Sequence, residues 1–543
     1  MNLHYTNTVR KADKNSLFPS LTNVLSGGFT PYVLFFAIIC AVYAASLMFG
    51  LTDLDDVALI VHQRSYLQDP FNIIASFFKS VFNESGDTFY RPLLTASWIA
   101  DTVIGGGRLW VYHLSGIIYH FIAVSILFNL LKNLKIEHPK AFVFSSFFAV
   151  LPIFNQAVSW IPGRNDILLA VFIFSSFIFI VKYGKNSNPA NLAAAAVFFT
   201  AALFTKETAI AAFMVFPAYI FFLAKDKTAR KTVSAAFVMA FCCIVWYLMK
   251  SGFTSSGEMN IFHIVTYSKI AALKFFPATL QYISKIFFPV NLKVMPPLSF
   301  FDSAAGLIIL AGIVFLLRQN KGTDYRAVFF GFFWFAAFLA LPYFHDSWFM
   351  LEHRVYTAAP GLIIVLNEIR LKHEIKSIMP ALLALYFMFF IAVSFINNVK
   401  FSGELDFSAA AVTENPENAK TSFLYGRRFI DSGRFQTGGY FMKRNFEKLP
   451  LKEKKKDAAN CSFLGIFAWQ RGDIKEAKKY LTIAAEKNTS MHQTYATLAN
   501  IFVNEKRYGE ALENIKKAFR LKPDNPEYFR YMKLIFEIIK DKK

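Results

Sequence analysis

Long apolar runs separated by short polar breaks fill most of residues 31–400. A helix that crosses a bilayer needs about 20 predominantly apolar residues. Runs of that kind lie near 31–51, 109–131, 141–160, 166–182, 190–205, 208–224, 232–250, 304–317, 327–344, 356–369 and 377–397, which predicts about 11 spans. Two intervening segments are mixed. Residues 57–107 hold amphipathic stretches, such as 71–82, that suit the membrane surface. Residues 270–289 are apolar but carry Lys274, Lys285 and an internal Pro277, the pattern of a re-entrant or interfacial helix. After Lys400 the chain turns polar and a new period appears. Leu464, Ala477 and Ala484 recur as Leu498, Ala511 and Ala518, each 34 residues later. That is the tetratricopeptide period, with small residues where paired helices touch and Pro523 closing the second unit. A weaker unit precedes it at Gly426, Gly433, Phe435, Gly438 and Pro450, set off by the Lys-rich insert 452–456. Residues 526–540 read as a capping helix.

The expected fold class is therefore all-α. A polytopic membrane helix bundle occupies 31–400 behind a short tail, 1–30, and has outer loops at 52–107 and 251–303. A tetratricopeptide-repeat α-solenoid, about three repeats plus a cap, occupies 401–543. Composition agrees: 55% of the residues are hydrophobic, 64 are Phe, and mean hydropathy is +0.37, too apolar for a soluble protein. Lys and Arg crowd one set of short loops (Lys132, Lys135, Lys140; Lys182, Lys185; Lys225, Lys227, Arg230, Lys231; Arg318, Lys321, Arg326; Arg370, Lys372, Lys376). The alternate loops hold little beyond Arg164, Lys206 and Arg354. The positive-inside rule places the first set and the N-terminus in the cytoplasm, and eleven spans then place the repeat domain outside. Arg10, Lys11 and Lys14 before the first run mark a signal anchor. The net charge of +21 is dispersed, with no basic patch interleaved with aromatics, so a nucleic-acid partner is not expected. Four cysteines, three of them in apolar segments, give neither a disulfide framework nor a metal-ligand spacing.

Ionisable groups at span ends are functional candidates. The first is the run Thr52-Asp53-Leu54-Asp55-Asp56, just past the first span. Others are Arg91, His113 and His120, Arg164 and Asp166 beyond Trp160 and Gly163, the pair Lys206-Glu207, and Glu352 with Arg354. Each has a bland alternative. The aspartates could be a solvated cluster, Arg91 and Arg354 could snorkel to headgroups, and Lys206-Glu207 could be a polar turn. His113 and His120 share a helical face, and packed, hydrogen-bonded imidazoles suit them better than a metal. Most of these residues fall on one side of the membrane, which favours a shared role. The Asp-x-Asp-Asp run could offer carboxylate oxygens to Mg²⁺ or Mn²⁺. No further clustered ligands accompany it, so neither metal nor cofactor is expected.

In order along the chain stand Asp55-Asp56, Tyr90-Arg91-Pro92-Leu93, Tyr112-His113-Leu114, the run from Asn155 through Trp160, Gly163 and Arg164 to Asp166, Thr205-Lys206-Glu207-Thr208, Phe288-Pro289-Val290-Asn291-Leu292, and Glu352-His353-Arg354-Val355-Tyr356. With the repeat tail, this order resembles the transmembrane and tetratricopeptide-repeat-containing O-mannosyltransferases and their bacterial relatives, within the C-superfamily of glycosyltransferases. Leu54 stands where that family often has an aromatic, and the repeats are fewer than in animal members. The resemblance implies a GT-C-like membrane domain and inverting transfer of a sugar, a hexose such as mannose. The donor would be a polyprenyl-phosphate sugar and the acceptor a hydroxyl of a protein or glycan on the outer face. Asp55 and Asp56 match the family's Asp pair, one of them acting as general base, with Asp53 a neighbour. Arg91, His113, Arg164, Lys206, Glu207, Glu352 and Arg354 would bind the donor's phosphate or sugar. The resemblance also implies a peptide or protein at the repeat groove and, by analogy, a bacterial inner membrane. A lipid-linked oligosaccharide ligase or polymerase would centre on a large late outer loop, whereas 346–355 is short. A non-catalytic repeat scaffold would leave the outer-side polar residues without a task.

Overall fold

The computed structural model describes residues 28–52, 54–82, 89–224, 228–254, 261–341, 350–370, 378–416 and most of 421–541. Asp53, the tail to residue 27, Lys225, Lys227, Lys372, Lys376, residues 346–349, Gly433, Pro450 and the 452–456 insert lie outside them. Every regular element among the described residues is helical. The chain divides into two compact units, Met1–Phe407 and Ser408–Lys543.

Among the described residues of the first unit six helices are long and apolar enough to cross a membrane: Thr30–Met48, Leu109–Asn133, Ile161–Asn186, Ala229–Phe253, Phe300–Gln319 and Met379–Phe401. A further apolar pair is bent, with His138–Val150 and Pro152–Ser159 meeting at 49°, the geometry of a broken span or a re-entrant loop. Pro152 causes the break: it lacks an amide hydrogen and drives Leu151 out of the helical region, to φ −57° and ψ 115°. The spans near 190–205, 208–224 and 327–344 appear as the shorter helices Pro189–Leu203, Glu207–Leu223 and Tyr325–Ala340. Fifteen or so residues rise only about 22 Å, less than the roughly 30 Å hydrocarbon core. The run at 356–369 forms only the nine-residue helix Ala359–Asn367, buried from Ala359 through Val365, so it packs inside the bundle instead of spanning. Residues 270–289, whose pattern suggested a re-entrant segment, fall mostly in one continuous helix, Ile261–Phe287. That helix packs tightly on Phe300–Gln319: a Cβ on Gly306 would sit 1.9 Å from the Leu280 carbonyl oxygen.

Burial separates central from peripheral spans. The Ile161–Asn186 window is 67% buried, against 22% for Ala229–Phe253 and 11% for Met379–Phe401. Phe237, Phe241, Leu385 and Ile396 point outward from the latter two, as side chains facing lipid do. The chain is a multi-pass membrane protein, and the central Ile161–Asn186 span buries Arg164, Asn165 and Asp166 in its first turn.

In the second unit the helices Ala458–Gln470 and Ile474–Glu486 are followed by His492–Asn504 and Tyr508–Leu521, each starting 34 residues after its counterpart. Pro526–Asp541 follows as the cap. Ala477, Leu481, Tyr495, Leu498, Ala511, Ile515 and Ala518 form the core, as the repeat positions require. Asp473 caps the Ile474–Glu486 helix by accepting from the Glu476 amide at 3.0 Å, and Gly472 takes the turn before it at φ +81°.

Candidate functional site

Past the first span the chain runs through Phe49–Thr52 and turns at Leu54-Asp55, which separates the two aspartates. Asp55 is exposed and Asp56 is 1% exposed. Asp56 Oδ2 accepts from the Thr52 amide at 2.8 Å, from the Thr52 hydroxyl, and from the Trp160 indole N–H at 3.1 Å. Its Oδ1 has no hydrogen-bond partner among the described residues. Burial pushes this carboxyl up to about 7; the bonds from Thr52 and Trp160 oppose the shift, and the charge of Asp55 adds to it. A buried carboxylate with one free oxygen and a pKa near neutrality is poised to take a proton.

Trp160 is aimed by the bent segment after Pro152. Short turns of helix, Asn155–Ser159 and Ile161–Gly163, lead directly into the central span. Gly163 allows this: a Cβ there would lie 2.2 Å from the Gln156 carbonyl oxygen and 3.1 Å from Ala157. Gly163→Ala should cost about 1–3 kcal/mol through forced backbone displacement, read as a lower melting temperature in detergent. An unchanged melting temperature would show that the turn relaxes. The segment's polar groups are taken up internally. Asn155 accepts from the Tyr43 hydroxyl at 3.3 Å and donates to the Ser394 carbonyl at 2.6 Å. Gln156 donates to the Val294 carbonyl at 3.1 Å and accepts from the His353 amide at 3.3 Å.

Arg164, expected among the phosphate-binding cations, is 1% exposed and ion-paired with Asp101, and it also donates to the Tyr112 carbonyl at 2.5 Å. Ser115 donates to the same Asp101 oxygen at 2.7 Å. Burial and this pairing make Arg164 a tie between helices, with its Nε buried and without a partner among the described residues. Asp101 is its missed partner. An acid in an otherwise apolar helix, Pro92–Gly105, was the signal that could have found it.

The other cations gather one layer away. Lys206 Nζ lies 2.6 Å from Asp166 Oδ2 and 3.3 Å from Asn165 Oδ1. Arg91 grips Glu207 through two bonds, at 3.0 and 2.5 Å, and feels the charges of Asp166 and Asp55. Arg354, Asp166 and Lys206 line a small cleft, with room for about one water molecule, together with Thr208 and Thr357. His353 joins the two regions. Its ring lies 5.6 Å from that of Trp160, and its Nε2 is 3.6 Å from Asp166 Oδ2. Burial holds this imidazole neutral, well below its usual range, and the charges of Lys206, Arg354 and Arg91 push the same way. The sequence motif contained His353, but nothing in its spacing revealed this bridging position.

Glu352 lies aside, bound to Lys285 at 2.6 Å and to the Lys293 amide at 3.0 Å. Lys285 had stood out in sequence as a charge in an apolar run. His113 is buried against Phe49, ring centroids 6.2 Å apart. His120 is a packing residue, bonded to the Tyr356 hydroxyl at 2.6 Å and the Ala149 carbonyl at 3.0 Å. Among the described residues no three His, Cys, Asp or Glu side chains gather as metal ligands.

These features define a class: a multi-pass helical membrane protein with a tetratricopeptide array and a buried carboxylate beside a cationic cleft. A tetratricopeptide-repeat family model matches residues 492–525. The chain is similar to protein O-mannosyl-transferase TMTC3 of Homo sapiens, 26% identical over 160 residues, which is 28% of this chain and 17% of that protein. It is 27% identical over 199 residues to protein O-mannosyl-transferase Tmtc2 of Drosophila melanogaster, 34% of this chain and 20% of that one. With tmtc2 of Xenopus laevis the identity is 30% over 132 residues, 24% of this chain and 16% of the relative. The chain thus matches about a fifth or less of the length of each of these relatives. Among solved structures, ArnT from Cupriavidus metallidurans bound to undecaprenyl phosphate is 12% identical at a TM-score of 0.40, over 77% of this chain and 75% of that one. The named relatives and the repeat match bear out the resemblance drawn from the sequence motifs.

Proposed function

We propose that this protein is an inverting membrane glycosyltransferase. It moves a hexose such as mannose from a polyprenyl-phosphate donor to a hydroxyl of a protein or glycan acceptor on the outer face of the membrane. The observation that carries the proposal is Asp56: buried, bonded through one oxygen only among the described residues, and joined by Trp160 and His353 to the cleft of Asp166, Lys206 and Arg354. The names of the relatives support the sugar and the protein acceptor. In the proposed step the acceptor oxygen bonds to the sugar C1 while its proton passes to Asp56 Oδ1. The bond from C1 to the phosphate oxygen breaks on the opposite face of the sugar, and the phosphate leaves toward the cations. Of the aspartate pair, burial selects Asp56 as base and leaves exposed Asp55 to bias the local charge. Arg91 and Lys206 each hold a carboxylate, Glu207 and Asp166, which the donor phosphate would share or displace. On the same reading the repeat unit stands outside a bacterial inner membrane and engages the acceptor or a partner peptide.

Purified full-length protein should transfer labelled mannose from a polyprenyl-phosphate donor to a peptide rich in Ser and Thr, and should not use a nucleotide sugar. Arg91→Gln should raise the donor KM by about tenfold or more, in line with the ~1.5–3 kcal/mol of a hydrogen bond to a charged group. Absence of transfer from every polyprenyl-phosphate sugar tested would return the protein to the scaffold reading.

A further inference from the structure

Asp56 is bonded asymmetrically. Its three donors among the described residues, the Thr52 amide, the Thr52 hydroxyl and the Trp160 indole, converge on Oδ2. Both donor residues are themselves fixed. Thr52 is buried, and the segment leading to it is pinned where the Gly50 amide donates to the Ser402 carbonyl at 2.7 Å. Trp160 lies between Asp56 and the ring of His353, whose backbone amide is tied to Gln156. Donors concentrated on one oxygen lower its basicity and forbid rotation of the carboxylate. The proton must then go to the other oxygen, in the one direction the clamp permits.

We infer that Thr52 and Trp160 are positioning residues that clamp Oδ2 of Asp56 and so leave Oδ1, itself buried and without a partner among the described residues, as the oxygen that takes the acceptor's proton. This rests on the proposed transferase reading. Trp160 has a second consequence: it backs the base on one side and the His353–Asp166–Lys206 chain on the other, so the proton-accepting and phosphate-binding halves share one rigid wall. The charged neighbour of Asp56 on its own segment is Asp55, and the groups across Trp160 are Asp166, Lys206, Arg91 and Arg354, around neutral His353.

Thr52→Val and Trp160→Phe remove a donor while keeping most of the packing volume. Two readouts separate the clamp from the chemistry. The first needs no activity: the difference in melting temperature between each protein and the same protein carrying Asp56→Asn, followed against pH, reports the ionisation midpoint of Asp56. Each variant should move that midpoint upward by about one unit, because a bond that favours the carboxylate is gone. The second is transfer kinetics. Each variant should lower kcat by about tenfold to a hundredfold with the donor KM changed less than about twofold, and Thr52→Ser should recover most of the loss. An active protein in which neither variant moves the midpoint or kcat would overturn the clamp. Shifted midpoints in a protein that transfers no sugar would uphold the clamp and refute the transferase reading instead.

Discussion

Asp56→Asn is expected to lower transfer by about 10²–10⁴-fold, the range for loss of a general base, while leaving the fold intact. Asn can still accept from Thr52 and Trp160 through its amide oxygen, so the clamp survives and only the proton acceptor is lost. The same substitution should stabilise the protein at alkaline pH. Burial raises the folded carboxyl to about 7 from an ordinary 3.8, so between these values the folded chain binds more protons than the unfolded one. Stability therefore falls as pH rises through this window and is flat above it, by up to roughly 4 kcal/mol in all. Asn carries no such penalty. Asp56→Asn should thus melt higher than the parent at pH 8 and about equally at pH 4. A variant that is inactive and less stable at pH 8 would mean that Asp56 is structural.

Arg164→Met is expected to be the most damaging single change to stability, by about 3–5 kcal/mol, because it strands Asp101 as an uncompensated buried charge. It also removes the donor to the Tyr112 carbonyl and a cation lying 5.8 Å over each of the Tyr112 and Tyr119 rings. Replacing both partners, Arg164→Met with Asp101→Leu, should recover much of the loss, since a buried pair exchanged for apolar residues is often near neutral. The check is the melting temperature of the two single variants and the double in the same detergent. A double variant as unstable as Arg164→Met alone would show that Arg164 contributes mainly through Tyr112 and the rings.

Local periodicity explains which parts were legible in the sequence. The repeat unit was read in register because each 34-residue module fixes its own helix pair, down to Ala477 and Ala511 in the core. Apolar runs likewise located almost every membrane helix. Hydropathy does not encode how a run is used, so 356–369 looked like a span although it is a short buried helix. Pairings over long separations were hidden for the same reason. The two aspartates look alike in sequence. What separates them is Trp160, 104 residues further on, and no pattern announces that contact. Arg164 and Arg91 were equivalent cations until their partners, Asp101 and Glu207, showed one sealed in the bundle and the other beside the cleft.

The most direct test of the account is the initial rate of mannosyl transfer by the full-length protein as a function of pH, at saturating donor. A base in the state described for Asp56 predicts a rate that falls about tenfold per pH unit below a midpoint near 7 and levels off above it, with that ionisation absent from the residual rate of Asp56→Asn. A parent profile flat from pH 5 to pH 8, or one whose midpoint persists in Asp56→Asn, would contradict it.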